Sequence, residues 1–106
     1  MPKYLIEASY TVDGIKGVVA KGGSARKTAV QAAAKSVGGK LETFYFAFGA
    51  TDAIVIVDAP DNTAAAALAL AVASSGAVSA RTTVLITPDE MYAAAKQSVT
   101  YKAPGK

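Results

Sequence analysis

The segment at residues 53–59, AIVIVDA, sets the tightest limit on the fold. It is apolar almost without a break, rich in β-branched residues and closed by Pro60. Such a run reads as a strand covered on both faces, and therefore as a central one. Residues 3–11 (KYLIEASYT) supply one companion, with Tyr4, Ile6, Ala8 and Tyr10 on one face and Leu5, Glu7 and Ser9 on the other. Residues 40–48 (KLETFYFAF) supply a second, with Phe44, Phe46 and Phe48 on one face and Tyr45 on the other. Residues 77–87 (AVSARTTVLIT) read as a fourth strand.

Between the strands the period changes to that of helices. Residues 12–37 read as two helical pieces broken at Lys21-Gly22-Gly23. Each glycine inside a helix costs about 1 kcal/mol relative to alanine. Asp13 is placed to cap a short first piece and Ser24 to cap the second. In the second piece Ala29, Val30, Ala33, Ala34 and Val37 form the predicted buried stripe, and Gly38-Gly39 ends it. Residues 62–75 are almost all alanine around Leu68, Leu70 and Val72. Thr87-Pro88 opens a last short helix through about Gln97, with Thr87 as cap and proline at the favoured first position. Residues 1–97 are thus read as one domain and 98–106 as a tail, either solvated or adding a strand through Val99 and Tyr101 to a neighbouring subunit.

The order β-α-β-β-α-β with an added C-terminal helix predicts an α+β fold of ferredoxin-like type, with an antiparallel four-stranded sheet. Two helices cover one sheet face. The other face is expected to carry apolar residues from all four strands and to be covered by a second copy of the chain.

The chain also resembles the GYD-domain family of small bacterial proteins. The resemblance runs from Tyr4-Leu5-Ile6 through Ser36-Val37-Gly38-Gly39-Lys40-Leu41 and Phe44–Asp52 to Val55–Asp61. It continues through Gly76-Ala77-Val78, Arg81-Thr82-Thr83 and Thr87-Pro88-Asp89-Glu90. Of the family's glycine-tyrosine-aspartate turn, Gly49 and Asp52 are kept, while Thr51 stands at the tyrosine position. The resemblance implies a dimeric α/β barrel and names no activity.

A few residues are candidates for chemistry. Tyr45 and Asp52 flank the turn at Gly49 and are the candidate catalytic pair; Tyr45, Gly49, Asp52 and Arg81 are the candidate ligand-binding set. Tyr45 offers a phenol as proton donor, although packing at an edge or interface is the ordinary use of a strand tyrosine. Asp52 offers either a carboxylate at a pocket mouth or a cap on backbone N–H groups of its own loop, with Gly49 at positive φ. Arg81 is expected beside Glu7 on one sheet face, as an ion pair within or between subunits or as an anion-binding cation. Gly22-Gly23-Ser24 followed by Arg26-Lys27 is either a helix break or an anion site at a helix N-terminus; it lacks the spacing of a Walker A loop.

Composition closes off much else. The 106 residues contain no Cys, His or Trp. Disulfides, thiol nucleophiles, His-based general bases and the usual zinc and haem ligands are therefore absent, and no metal or cofactor is expected. The net charge of +3 is spread without a basic run, which argues against nucleic acid. No apolar run is long enough to cross a membrane, and the opening Met1-Pro2-Lys3-Tyr4 reads as the start of a strand. The expected setting is the bacterial cytoplasm. Two functions fit: a homo-oligomeric small-molecule-binding or structural and regulatory domain, or a cofactor-independent enzyme of oxygenase or isomerase type on a dimeric α/β barrel.

Overall fold

A computed structural model describes all 106 residues. The elements run β1 (Lys3–Tyr10), α1 (Val12–Lys21), α2 (Gly23–Ser36), β2 (Lys40–Phe46), β3 (Ala53–Asp58), α3 (Asn62–Ser74), β4 (Val78–Leu85) and α4 (Pro88–Ala95). The four strands form one antiparallel sheet in the order β2-β3-β1-β4. The α+β class, the ferredoxin-like order and the added C-terminal helix are as the sequence predicts.

The core lies between α2, α3 and one sheet face. Tyr4 and Val57, opposite each other in the β1–β3 ladder, are both buried against Ala34, Ala65 and Leu68. A second small cluster joins Ala8, Ala53 and Val78. Tyr4 keeps its polar tip satisfied: its hydroxyl donates to Asn62 Oδ1 at 2.7 Å, tying β1 to the first turn of α3. Only 11 of 106 residues are buried, because alanine fills the helix faces and removes little area from water per residue.

Several local expectations are corrected. Residues 12–21 make a full helix whose cap is Thr11, accepting from the Gly14 N–H at 3.2 Å; Asp13 lies within the first turn. Thr11 wins because β1 runs straight into it with extended backbone, leaving its hydroxyl one turn ahead of the free amides. The break between α1 and α2 narrows to Gly22 at φ +87°, and α2 begins with no side-chain cap, so Ser24 does not serve as one. Of the predicted α2 stripe only Ala34 is fully buried; Val30, Ala33 and Val37 pack at its margin and Ala29 is exposed. Strand β2 stops at Phe46 because the chain turns at once: the Ala47 N–H donates to the Asp52 carbonyl at 2.8 Å. Phe48 is left in solvent. A bulge at Glu42, between the pairs Leu41–Val57 and Thr43–Ile56, resets the alternation so that Phe44 and Phe46 face the helices and Tyr45 faces away.

The added helix α4 opens on a complete capping box, with Thr87 and Glu90 exchanging backbone and side-chain bonds of 2.9 and 3.0 Å. It nevertheless buries none of its residues. Residues 98–106 form no strand. The molecule is correspondingly long, 56 × 33 × 23 Å with a radius of gyration of 16.8 Å, against about 13 Å for a compact chain of this length.

Candidate functional site

The sheet face turned away from the helices carries two of the four candidate residues, Tyr45 and Arg81. Its register places Tyr45, Ile54, Glu7 and Arg81 in one transverse row, from β2 across β3 and β1 to β4. Tyr45 and Arg81 are therefore on the same face at opposite edges, three strand spacings or about 14 Å apart. One chain does not bring them to a common site. Glu7 is directly opposite Arg81, as expected, but no ion pair joins them; the ion pairs of the chain are those of Lys3 with Glu42 and Asp58. The next row, Thr43, Ile56, Leu5 and Thr83, is mixed in the same way. The open face is thus apolar at its centre, in Leu5, Ile54 and Ile56, with charge and hydroxyl groups around it. Apolar residues from four strands are expected on this face; the outer strands contribute Tyr45 of β2 and Leu85 of β4 to it.

Asp52 acts on the backbone. Its Oδ2 accepts from the Tyr10 N–H at 2.9 Å and its own N–H donates to the Ala8 carbonyl at 2.8 Å, so it fastens the 47–52 loop to the end of β1. Gly49 is not at positive φ, and a Cβ there meets no atom within 4 Å. The connection from Ala47 to Asp52 is long enough to turn without a left-handed residue. Tyr45 is 69% exposed and has no partner for its hydroxyl.

One charged cluster was missed by sequence reading. Lys3 reaches both Glu42 and Asp58, the latter at 2.9 Å. Asp58 is the one buried charged residue, and Lys3 holds its carboxyl below the ordinary value of 3.8 by donating to it, against the opposing effect of burial. The pairing of Lys3 with Asp58 across β1 and β3 is what brings the two together.

A second feature lies on the helix side. Where α1 breaks into α2, the two helices and the start of β4 enclose a cleft of about 450 Å³. Its α1 wall is Gly14, Gly17, Val18 and Lys21, which repeat at helical spacing on one face. Arg26 and Ala29 of α2 and Val78 of β4 close it, with Tyr10 at one end. Gly14 is required by packing, since a Cβ there would stand 2.2 Å from the Ala77 carbonyl oxygen. Arg26 also lines a smaller cavity of about 280 Å³ toward α3, so its side chain stands between the two spaces.

The family model of the GYD domain matches residues 4–95, nearly the whole chain and every element from β1 to α4. The chain belongs to the GYD-domain family. Neither a curated protein nor a solved structure matches it. Within this GYD domain Thr51, at the family's tyrosine position, is half-buried in the loop that Asp52 fastens. No three His, Cys, Asp or Glu side chains are grouped to hold a metal ion, and no helix is long and apolar enough to cross a membrane.

Proposed function

We propose that this GYD domain works as a homo-oligomer, joined through the open face of its sheet, that binds a small molecule. The observation that carries the reading is the one-sided sheet. Its packed helices all lie against one face, while Leu5, Ile54 and Ile56 sit at the centre of the other. Ile54 is 37% exposed and Tyr45 beside it 69%. An antiparallel sheet tolerates one wet face when that face is polar; here a patch of large apolar residues occupies its middle, as at surfaces that pair. Charges of both signs, Lys3 and Arg81 with Glu7, surround the patch, and a two-fold contact needs such self-complementarity. The projecting α4, with Met91 and Tyr92 exposed, adds apolar surface to what a second copy would cover. The small-molecule part rests on the cleft, whose volume lies within the usual range for such sites.

Native mass spectrometry of gently purified protein tests both parts, since it reports subunit number and any retained molecule together. A dimer or higher assembly is expected, and Ile54→Glu, which adds a charge to an exposed position, should release monomers that keep the native circular dichroism spectrum. Wild-type protein that stays monomeric at micromolar concentration would overturn the assembly.

A further inference from the structure

We propose that the cleft at the α1–α2 break binds a small organic carboxylate, with Arg26 and Lys21 taking its charge and Val18, Ala29 and Val78 its apolar body. This deepens the small-molecule reading above and rests on it.

Three features of the cleft carry the assignment. The first is Arg26. Its Nε is buried, makes no hydrogen bond, and the guanidinium enters no ion pair. Nε itself is covered by the chain, so a ligand in the cleft would meet the terminal N–H groups of this half-buried guanidinium, which have no ion-pair partner and suit a carboxylate. The second is Gly17. It stands mid-helix in α1, where alanine is the better residue by about 1 kcal/mol. A Cβ at Gly17 meets nothing within 4 Å, so no contact within the chain requires glycine there. Gly14 one turn earlier has a packing reason; Gly17 instead keeps the floor of the cleft open. The third is the distribution of charge. Asp13 and Lys21 lie at opposite ends of the α1 wall, about 12 Å apart along the helix. Lys21 and Arg26 are together at the Gly22 end, where α2 begins with neither a side-chain cap nor an acidic residue in its first turn. The negative pole of α1 and the positive pole of α2 meet at Gly22 and offset each other, so the two side-chain cations set the potential there. Asp13 and Tyr10 face the other end, so the ligand's carboxylate is directed toward Gly22 and a hydrogen-bond donor on the ligand toward Asp13.

The test uses benzoate as the probe and benzamide as its neutral counterpart, followed by amide NMR spectra of the full chain. Benzoate should give saturable shifts at Gly14, Gly17 and Gly22, and benzamide should give none at the same concentration. Arg26→Gln should weaken benzoate about tenfold or more, the loss of one charge-assisted contact. Gly17→Leu fills the cleft and should abolish the shifts while the remaining amide spectrum stays native. Equal binding of benzoate and benzamide, or benzoate binding that survives both substitutions, would overturn the site. Inorganic phosphate that binds as well as benzoate and is indifferent to Gly17→Leu would also overturn it, as an anion held at the surface. Native mass spectrometry separates the two readings. A retained adduct undiminished in Arg26→Gln leaves the domain a small-molecule binder with its site elsewhere. A wild-type protein with no adduct and no benzoate shifts ends both.

Discussion

Glu7 and Arg81 face each other directly across the β1–β4 ladder and form no ion pair. Opposite charges placed opposite one another ordinarily meet, and each pair contributes roughly 0.2–1 kcal/mol. Within one chain these two leave that contribution unused. Their row on the open sheet face makes both available to a second copy.

Removing the charge of Glu7 should therefore leave the isolated fold almost unchanged. Glu7→Gln is expected to shift the unfolding free energy by no more than about 0.5 kcal/mol. Glu7→Arg sets like charges opposite each other and should cost roughly 0.2–1 kcal/mol. Urea denaturation of both variants at dilute and concentrated protein checks this. A large loss in Glu7→Gln that grows with protein concentration would place Glu7 in an intersubunit pair.

The two turns that close the end of β1 rest on different chemistry. At Asp52 a carboxylate holds the Tyr10 N–H, so Asp52→Ala leaves a part-buried donor without its partner. The expected loss is about 1.5–3 kcal/mol, the range for a hydrogen bond to a charged group. Asp52→Asn keeps an acceptor oxygen and should recover most of it. Thermal unfolding of the pair measures the difference, and equal losses would assign the effect to loop packing instead.

At Gly14 the limit is steric. The Cβ of Gly14→Ala would meet the Ala77 carbonyl oxygen at 2.2 Å, a rigidly attached atom against backbone, where nothing flexible can yield. That variant should lose about 1–3 kcal/mol. Gly17→Ala, three residues on in the same helix, meets nothing and should gain up to about 1 kcal/mol. Opposite signs from the same substitution, read by denaturant midpoints, are the expected result.

What could be read in the sequence follows from the range of the interaction involved. The strand faces of Tyr4, Ile6 and Ala8 and the cap at Thr87 depend on near neighbours in sequence, and both are legible; the reciprocal bond from Glu90 was not read. The Glu42 bulge was not, because KLETFYF alternates acceptably with or without it and only pairing with β3 selects the register. The burial of Asp58 follows from its place in the 53–59 run, but its partner did not, since Lys3 is 55 residues distant. Among the site candidates, Glu7 and Arg81 were correctly placed as neighbours by strand order alone. Tyr45 and Arg81 share a face but not a site, a separation that sheet width decides. The cleft depends on the angle between α1 and α2 at Gly22, which spacing does not encode. Its one readable trace was Gly14, Gly17, Val18 and Lys21 at helical intervals on a single face.

The Lys3–Asp58 pair makes stability depend on pH in a defined direction. Asp58 titrates below its ordinary 3.8 in the folded chain, because Lys3 donates to its carboxylate. Its contribution is therefore complete above the unfolded value and is lost as pH falls through the lowered folded one. Lys3 is raised above 10.5, chiefly by its bond to Glu42 and then by Asp58. Its contribution is complete below 10.5 and disappears as pH rises through the raised folded value. Lys3→Met should consequently be less stable than wild type at pH 7, because it leaves the carboxylate of the buried Asp58 without its cation. The difference should begin to shrink below 3.8 and close as pH falls through the lowered folded value, where the carboxylate that Lys3 serves becomes protonated. Denaturation curves of the two proteins at pH 7 and at pH 2–3 give the result directly. A gap that stays constant across that range would mean that Lys3 stabilises through packing of its methylene stem on the sheet rather than through its charge.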